Sequence, residues 1–238
     1  MKCLSQSHKT DLSPKGWRNV IQYLDPGDTC LAACPFSTPK CRAACLRTAG
    51  RFADPGTRAA GQEARTKAYL ASPASYKARL VAEVLGSWRW HKARGHGLAV
   101  RLNGTSDLDW SGLWDSRFNG VTFYEYTKRP WKVRPRHAQR LAYSISEHPA
   151  SWDRAHEYLE NGQYVAVVVA TEADKACILA ARSLEAARSK FLAVDGDQHD
   201  LFFLHPRGSV LVLKAKGRAR RPEAMGFVKT AAEVLANL

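Results

Sequence analysis

The feature that most constrains this chain is a series of short apolar runs, at residues 98–102, 121–126, 141–145, 164–170 and 191–194, separated by turn or helical stretches. Several are apolar at successive positions, as strands covered on both faces are. Residues 151–161 and 173–188 supply helical connections, and residues 20–24, ahead of the Pro26-Gly27 turn, add an earlier strand. Strands and helices in alternation predict an α/β fold: a partial or complete (β/α) barrel with mainly parallel strands and a cysteine-rich N-terminal loop. Residues 210–214 read as one more strand and 223–238 as a closing helix.

Upstream, residues 58–70 suit a short basic helix, and Ser72-Pro73 offers an N-cap and first-turn proline for a helix running to residue 93. Tyr76, Leu80, Val81, Val84, Leu85 and Trp88 recur there at three- and four-residue steps, which defines one buried face. A chain of 238 residues fits a single domain. Its expected parts are an irregular cysteine-rich metal-binding segment at 1–70, a barrel core at 71–217 and a C-terminal helix at 218–238.

With 36 Lys and Arg against 22 Asp and Glu, the formal charge is +14. Such a surface attracts polyanions, so nucleic acid is the expected partner, DNA ahead of RNA. No stretch approaches the roughly 18 apolar residues of a spanning helix, and the N-terminus is polar, so a cytoplasmic protein without a membrane partner is expected. The sequence leaves the oligomeric state open.

Cys30, Cys34, Cys41 and Cys45 are bunched within sixteen residues, with Pro35 and Pro39 bending the intervening chain. In a reducing compartment closely spaced thiolates suit zinc or an iron–sulfur cluster, and their spacing does not decide between the two. A closed zinc site that only pins the loop is an equal reading. Residues 101–107 leave the end of a strand and carry Asn103, Thr105, Ser106 and Asp107; they read as a ligand site or as a turn with an N-cap. Asp195, Asp197, His199 and Asp200 follow the 191–194 run and suit cation binding, acid–base work or nucleophilic attack; a solvated Asp-Gly turn explains only part of them. Strand ends also contribute Tyr124, Glu125, Tyr126, Thr127, Lys128, Ser144 and Ser146. In the stretch 126–137, Tyr126, Lys128, Arg129, Trp131, Lys132, Arg134 and Arg136 interleave rings with cations, a pattern for stacking unpaired bases beside phosphates or simply a solvated charged face.

The cysteine segment with residues 46–51, then 101–107, 124–128 and 194–200, closing with Leu213-Lys214-Ala215-Lys216-Gly217, resembles the gene product 88 family of bacteriophage and prophage proteins. That resemblance implies action in a bacterial host cytoplasm. A looser similarity is to radical S-adenosylmethionine enzymes, whose partial barrel places cluster cysteines after its first strand. It would make Asn103, Thr105, Ser106 and Ser144 contacts for S-adenosylmethionine. The chain lacks that superfamily's cysteine spacing. A second similarity, to tRNA-guanine transglycosylase barrels, would make Asp107 and Asp195 nucleophile and base.

The expectation is therefore a nucleic-acid-binding phage protein that modifies bases with metal or iron–sulfur chemistry. The rivals are a non-catalytic DNA-binding protein with structural zinc and an Asp-dependent base-exchange transglycosylase. Asp107, Asp195, Asp197, Asp200 and His199 are the candidate catalytic groups.

Overall fold

The computed structural model describes residues 2–5, 13–26, 34–45, 57–113, 115–183 and 191–238. Eight strands form one sheet: β1 (Leu4–Ser5), β2 (Trp17–Gln22), β3 (Gly97–Arg101), β4 (Val121–Thr127), β5 (Arg140–Ser144), β6 (Tyr164–Val169), β7 (Ala193–Asp195) and β8 (Val210–Lys214). Their order is β1-β2-β3-β4-β5-β6-β8-β7, and every pairing is parallel except that of β1 with β2. Among the described residues six α-helices accompany them: α1 (Pro39–Ala43), α2 (Thr57–Ala71), α3 (Pro73–Lys92), α4 (Ser151–Glu160), α5 (Glu172–Ala181) and α6 (Ala231–Asn237). No helix among the described residues is long and apolar enough to cross a membrane.

Alternation along the strands separates two packed faces. Val165, Val167 and Val169 of β6 join Tyr158 and Leu159 of α4, Ile178 of α5 and Val234 of α6 in one core. Leu98 and Val100 of β3 and Phe123 of β4 meet Tyr76, Leu80 and Val84 of α3 in a second, on the stripe expected from their spacing. Burying a side chain such as Leu80 contributes roughly 1.5–3 kcal/mol. The intervening residues, Ala99, Tyr124, Ala142, Tyr164, Ala166 and Leu211, pack against Leu201 and Phe202 in a third cluster that, among the described residues, contains a 3-10 turn but no α-helix.

The mixed α/β sheet with mainly parallel strands is thus as expected, whereas barrel closure is not observed. Among the described residues no ladder joins the edge strands β1 and β7. The N-terminal segment also differs from a plain cysteine loop. Cys30 lies outside the described residues, and Thr38 accepts the Cys41 N–H at 3.3 Å to cap the one-turn helix α1.

The closing helix at 218–238 shrinks to α6. Before it come two 3-10 turns, Gly217–Arg220 and Pro222–Ala224. Pro222 and the left-handed Gly226 (φ 93°) break the helical path. A capping box starts α6: Thr230 N–H donates to Glu233 Oε2 at 2.8 Å while Glu233 N–H donates to Thr230 Oγ1 at 3.2 Å.

Candidate active site

Because the strands run parallel, their carboxyl ends open on one edge, and there a cavity of about 220 Å³ forms. The end of β3 contributes Arg101 and Asn103 to Asp107; β4 contributes Tyr126, Thr127 and Lys128; β5 contributes Ser144. Val168 of β6, Leu213 and Lys214 of β8, and Asp197 and Asp200 after β7 complete the wall. Cys34, Cys41, Cys45, Lys216 and Phe227 close the mouth. Residues that the sequence scatters over almost two hundred positions therefore share one space.

The segment after β3 is held by Glu125, a carboxylate with 0% exposure inside β4. It accepts N–H groups from Leu102 at 2.7 Å and Asn103 at 3.0 Å, and faces His137 Nε2 at 3.1 Å. Asn103 Oδ1 accepts Ser106 Oγ–H at 2.8 Å and Trp110 Nε1–H at 3.1 Å, while its Nδ2 donates to Leu108 O at 2.9 Å. Thr105 Oγ1–H donates to Leu24 O. Asn103, Thr105 and Ser106 thus line the cavity, yet their polar groups are engaged in folding the loop. Gly104 donates its N–H to Gln22 O at 2.9 Å, and a Cβ there would fall 2.7 Å from that same oxygen and closer still to the Tyr23 ring. Gly104→Ala is expected to lower stability by about 1–3 kcal/mol, as overpacking does; the midpoint of a urea melt reads it.

His137 works with Glu125. Burial opposes charging its ring, but hydrogen bonds to Asp109 and Glu125 outweigh this and raise its pKa above the ordinary 6.5. Its Nδ1 faces Asp109 Oδ1 at 3.7 Å, and Trp110 N–H points at the same nitrogen at 3.3 Å when the ring is neutral. A raised folded-state pKa adds stability that is complete below the unfolded value and disappears as pH climbs through the folded one. Wild type should therefore lose Tm relative to His137→Gln as pH rises above about 6.5; melts across pH 5–9 check the sign.

Asp107 is 6% exposed at the cavity wall. It accepts Thr127 Oγ1–H at 2.9 Å and Lys128 N–H at 3.1 Å, with Arg129 Nε 3.5 Å away. Burial nonetheless dominates and lifts its pKa above the usual carboxylate range. Asp200, 6% exposed, accepts the Tyr124 hydroxyl at 2.9 Å and lies 3.5 Å from Arg101 Nη1. Burial acts against the Arg101 charge, but Asp200 more than compensates and keeps the guanidinium ionised. Arg101 also lies 4.5 Å above the Tyr126 ring.

Asp195 and Asp197 are occupied differently. Lys175 Nζ reaches Asp195 Oδ1 at 2.6 Å and Asp197 Oδ2 at 3.0 Å, and Lys216 Nζ reaches Asp197 Oδ1 at 2.6 Å. Although burial raises the Asp197 pKa, Lys216, the Lys214 N–H and Lys175 bring it down to about 2. Such a neutralised carboxylate is a weak base. Asp195 and His199 do not reach the cavity wall; His199 stacks on His205 with ring centroids 5.1 Å apart.

Lys175 escapes the sequence reading, which has Glu125 only as a strand-end polar residue and His137 only as the end of the basic stretch. A charged residue on the apolar face of each element, Glu125 in step with Val121 and Phe123 and Lys175 three residues before Ile178, is the signal that finds two of them.

Cys34, Cys41 and Cys45 line the cavity. Cys34 Sγ lies 3.6 Å from Thr105 O, and Lys128 shares the cavity wall with Cys41. Among the described residues no group of three or more His, Cys, Asp or Glu is placed to hold a metal ion.

In the 126–137 stretch, Tyr126 and Lys128 face the cavity. Arg129 donates to Asp107 O at 2.7 Å. Trp131, expected as a stacking surface, packs edge-on against Tyr158 at 5.1 Å, with Arg134 3.8 Å over its ring. Its apolar area is better buried against α4 than exposed between the prolines. Lys132 and Arg136 remain exposed.

A family model described as gene product 88 matches residues 6–230. No curated protein and no solved structure matches the chain.

Proposed function

The chain belongs to the bacteriophage gene product 88 family, and from that premise we propose that it is an enzyme modifying single nucleobases of nucleic acid, DNA ahead of RNA, in the host cytoplasm. The supporting observation is the pair of buried carboxylates in one cavity, Asp107 pushed toward its protonated form and Asp200 beside Arg101. Two carboxyl groups driven apart by their surroundings divide acid from base or nucleophile. Asp107 is assigned the acid and Asp200, 3.5 Å from the Arg101 guanidinium, its partner. A base leaves its stack to enter such a pocket, and the +14 charge draws the polyanion to it. Helical cores on one sheet face and none in the opposite cluster support a partial barrel as its scaffold.

The experiment is mass spectrometry of nucleosides from DNA and RNA of host cells expressing the protein. One altered nucleoside, absent with Asp107→Asn, is expected. Identical composition in both nucleic acids would overturn the enzyme reading.

A second reading rests on the three thiols at the mouth, with Cys30 as a fourth ligand. They would hold zinc or an iron–sulfur cluster, and a cluster would bring S-adenosylmethionine toward Ser144 and the residue 103–106 loop. The fit is poor, since the cation Lys128 shares the wall with these thiols, the loop's polar groups are already bonded, and the described thiols form no metal-holding group. Elemental analysis and visible absorbance of anaerobically purified protein decide it: iron supports the cluster, and zinc in a protein without nucleoside chemistry supports a DNA-binding role.

A further inference from the structure

The basic run Lys214–Arg221 holds five cations in eight residues and no acid. The turns that carry it are not a loose tail: Ala215, Ala219 and Ala224 are buried in one cluster with Ala44 of the cysteine segment. Small side chains let these backbones approach closely, so the cations stand on a firm base. Arg218, Arg220 and Arg221 are exposed, as are Lys40 and Arg42 of the neighbouring helix α1. Between them, Lys216, Ala219, Cys41 and Ala44 line the cavity itself. In the 128–136 stretch Arg129, bound to Asp107 O, and Arg134, lying on Trp131, are half-buried, whereas on the rim Arg220 donates its Nε–H to Ala215 O at 3.1 Å and remains exposed.

We propose that this alanine-backed rim is the phosphate track along which a nucleic-acid strand lies while its base enters the cavity. The inference rests on the nucleic-acid reading above. Two basic elements flanking one mouth present charge to consecutive phosphates, and a pre-ordered rim loses little entropy on binding. Nucleic acid is favoured over an anionic membrane because the track borders a cavity that holds the buried groups Arg101, Asp107 and Asp200, and among the described residues the large exposed apolar group beside it is Met225.

Binding of a fluorescein-labelled single-stranded DNA oligonucleotide and of its duplex is to be measured by anisotropy over a KCl series. The triple variant Arg218→Gln, Arg220→Gln, Arg221→Gln should flatten the log–log salt slope on single strands by about 2, the loss of three phosphate contacts. Lys132→Gln with Arg136→Gln should change it less, and both variants should melt as the wild type does. An unchanged slope in a folded triple variant overturns the track alone; should that variant fail to fold, Lys40→Gln with Arg42→Gln carries the same test. Wild type that binds no oligonucleotide overturns the track together with the nucleic-acid reading. Binding to phosphatidylserine vesicles in place of oligonucleotide, abolished by the triple variant, would assign the rim to membranes and refute the proposal.

Discussion

Glu125→Ala should unfold the protein at markedly lower denaturant, with a loss of about 3–5 kcal/mol, the cost of removing one partner from a buried charged pair. Three donors lose their acceptor at once: the N–H groups of Leu102 and Asn103 and His137 Nε2. None can turn to water, since the carboxylate they surround is fully enclosed. Against a total stability of roughly 5–15 kcal/mol for a natural domain, that is a large share. Glu125→Gln keeps the shape and one acceptor oxygen and should cost about 1–3 kcal/mol. Urea midpoints measure both. Equal stabilities of wild type and Glu125→Ala would show that the loop after β3 is held by other contacts.

Asp107→Asn is expected to reduce nucleoside modification by on the order of 10²–10⁴-fold, the usual worth of a positioned acid or base, while oligonucleotide affinity stays as it was. The amide remains an acceptor for Lys128 N–H or the Thr127 hydroxyl, so the fold should hold. The wild-type rate should fall as pH rises through the elevated pKa of Asp107, because the acid form is the working one. Asp200→Asn should also abolish turnover, and it leaves Arg101 without its carboxylate. Asp195→Asn should be mild, since that group lies off the cavity wall in contact with Lys175. Full activity in both Asp107→Asn and Asp200→Asn would remove the acid–base assignment.

How much of this was legible beforehand depends on range. Strand existence came from runs such as Tyr164–Val169, where β-branched residues leave few alternatives, and the α3 face from helical spacing. Convergence of Asp107, Tyr126, Lys128, Ser144 and Asp200 followed from parallel strands having a common carboxyl edge. What stayed hidden was pairing. Nothing local tells that Asn103 spends its amide on Ser106, Trp110 and Leu108, or that Lys175 reaches across to neutralise two aspartates. Trp131 misled for the same reason: flanking prolines suggest exposure, and only the placement of Tyr158 reveals what covers the ring. The overlong terminal helix ignored the Thr-x-x-Glu box, which was readable.

The chain's last stretch after β8 also has a bearing on how the protein can be handled. Lys229 N–H donates to Val168 O at 2.8 Å, Phe227 lines the cavity, and Val234 sits in the same core as β6. Trimming at Arg221, where the sheet is already complete, would remove the Phe227 ring from the chamber and uncover the β6 flank that Val234 shields. Shortened versions intended for crystallisation or for fusion partners should therefore keep residues 222–238, with any tag joined by a spacer beyond Leu238.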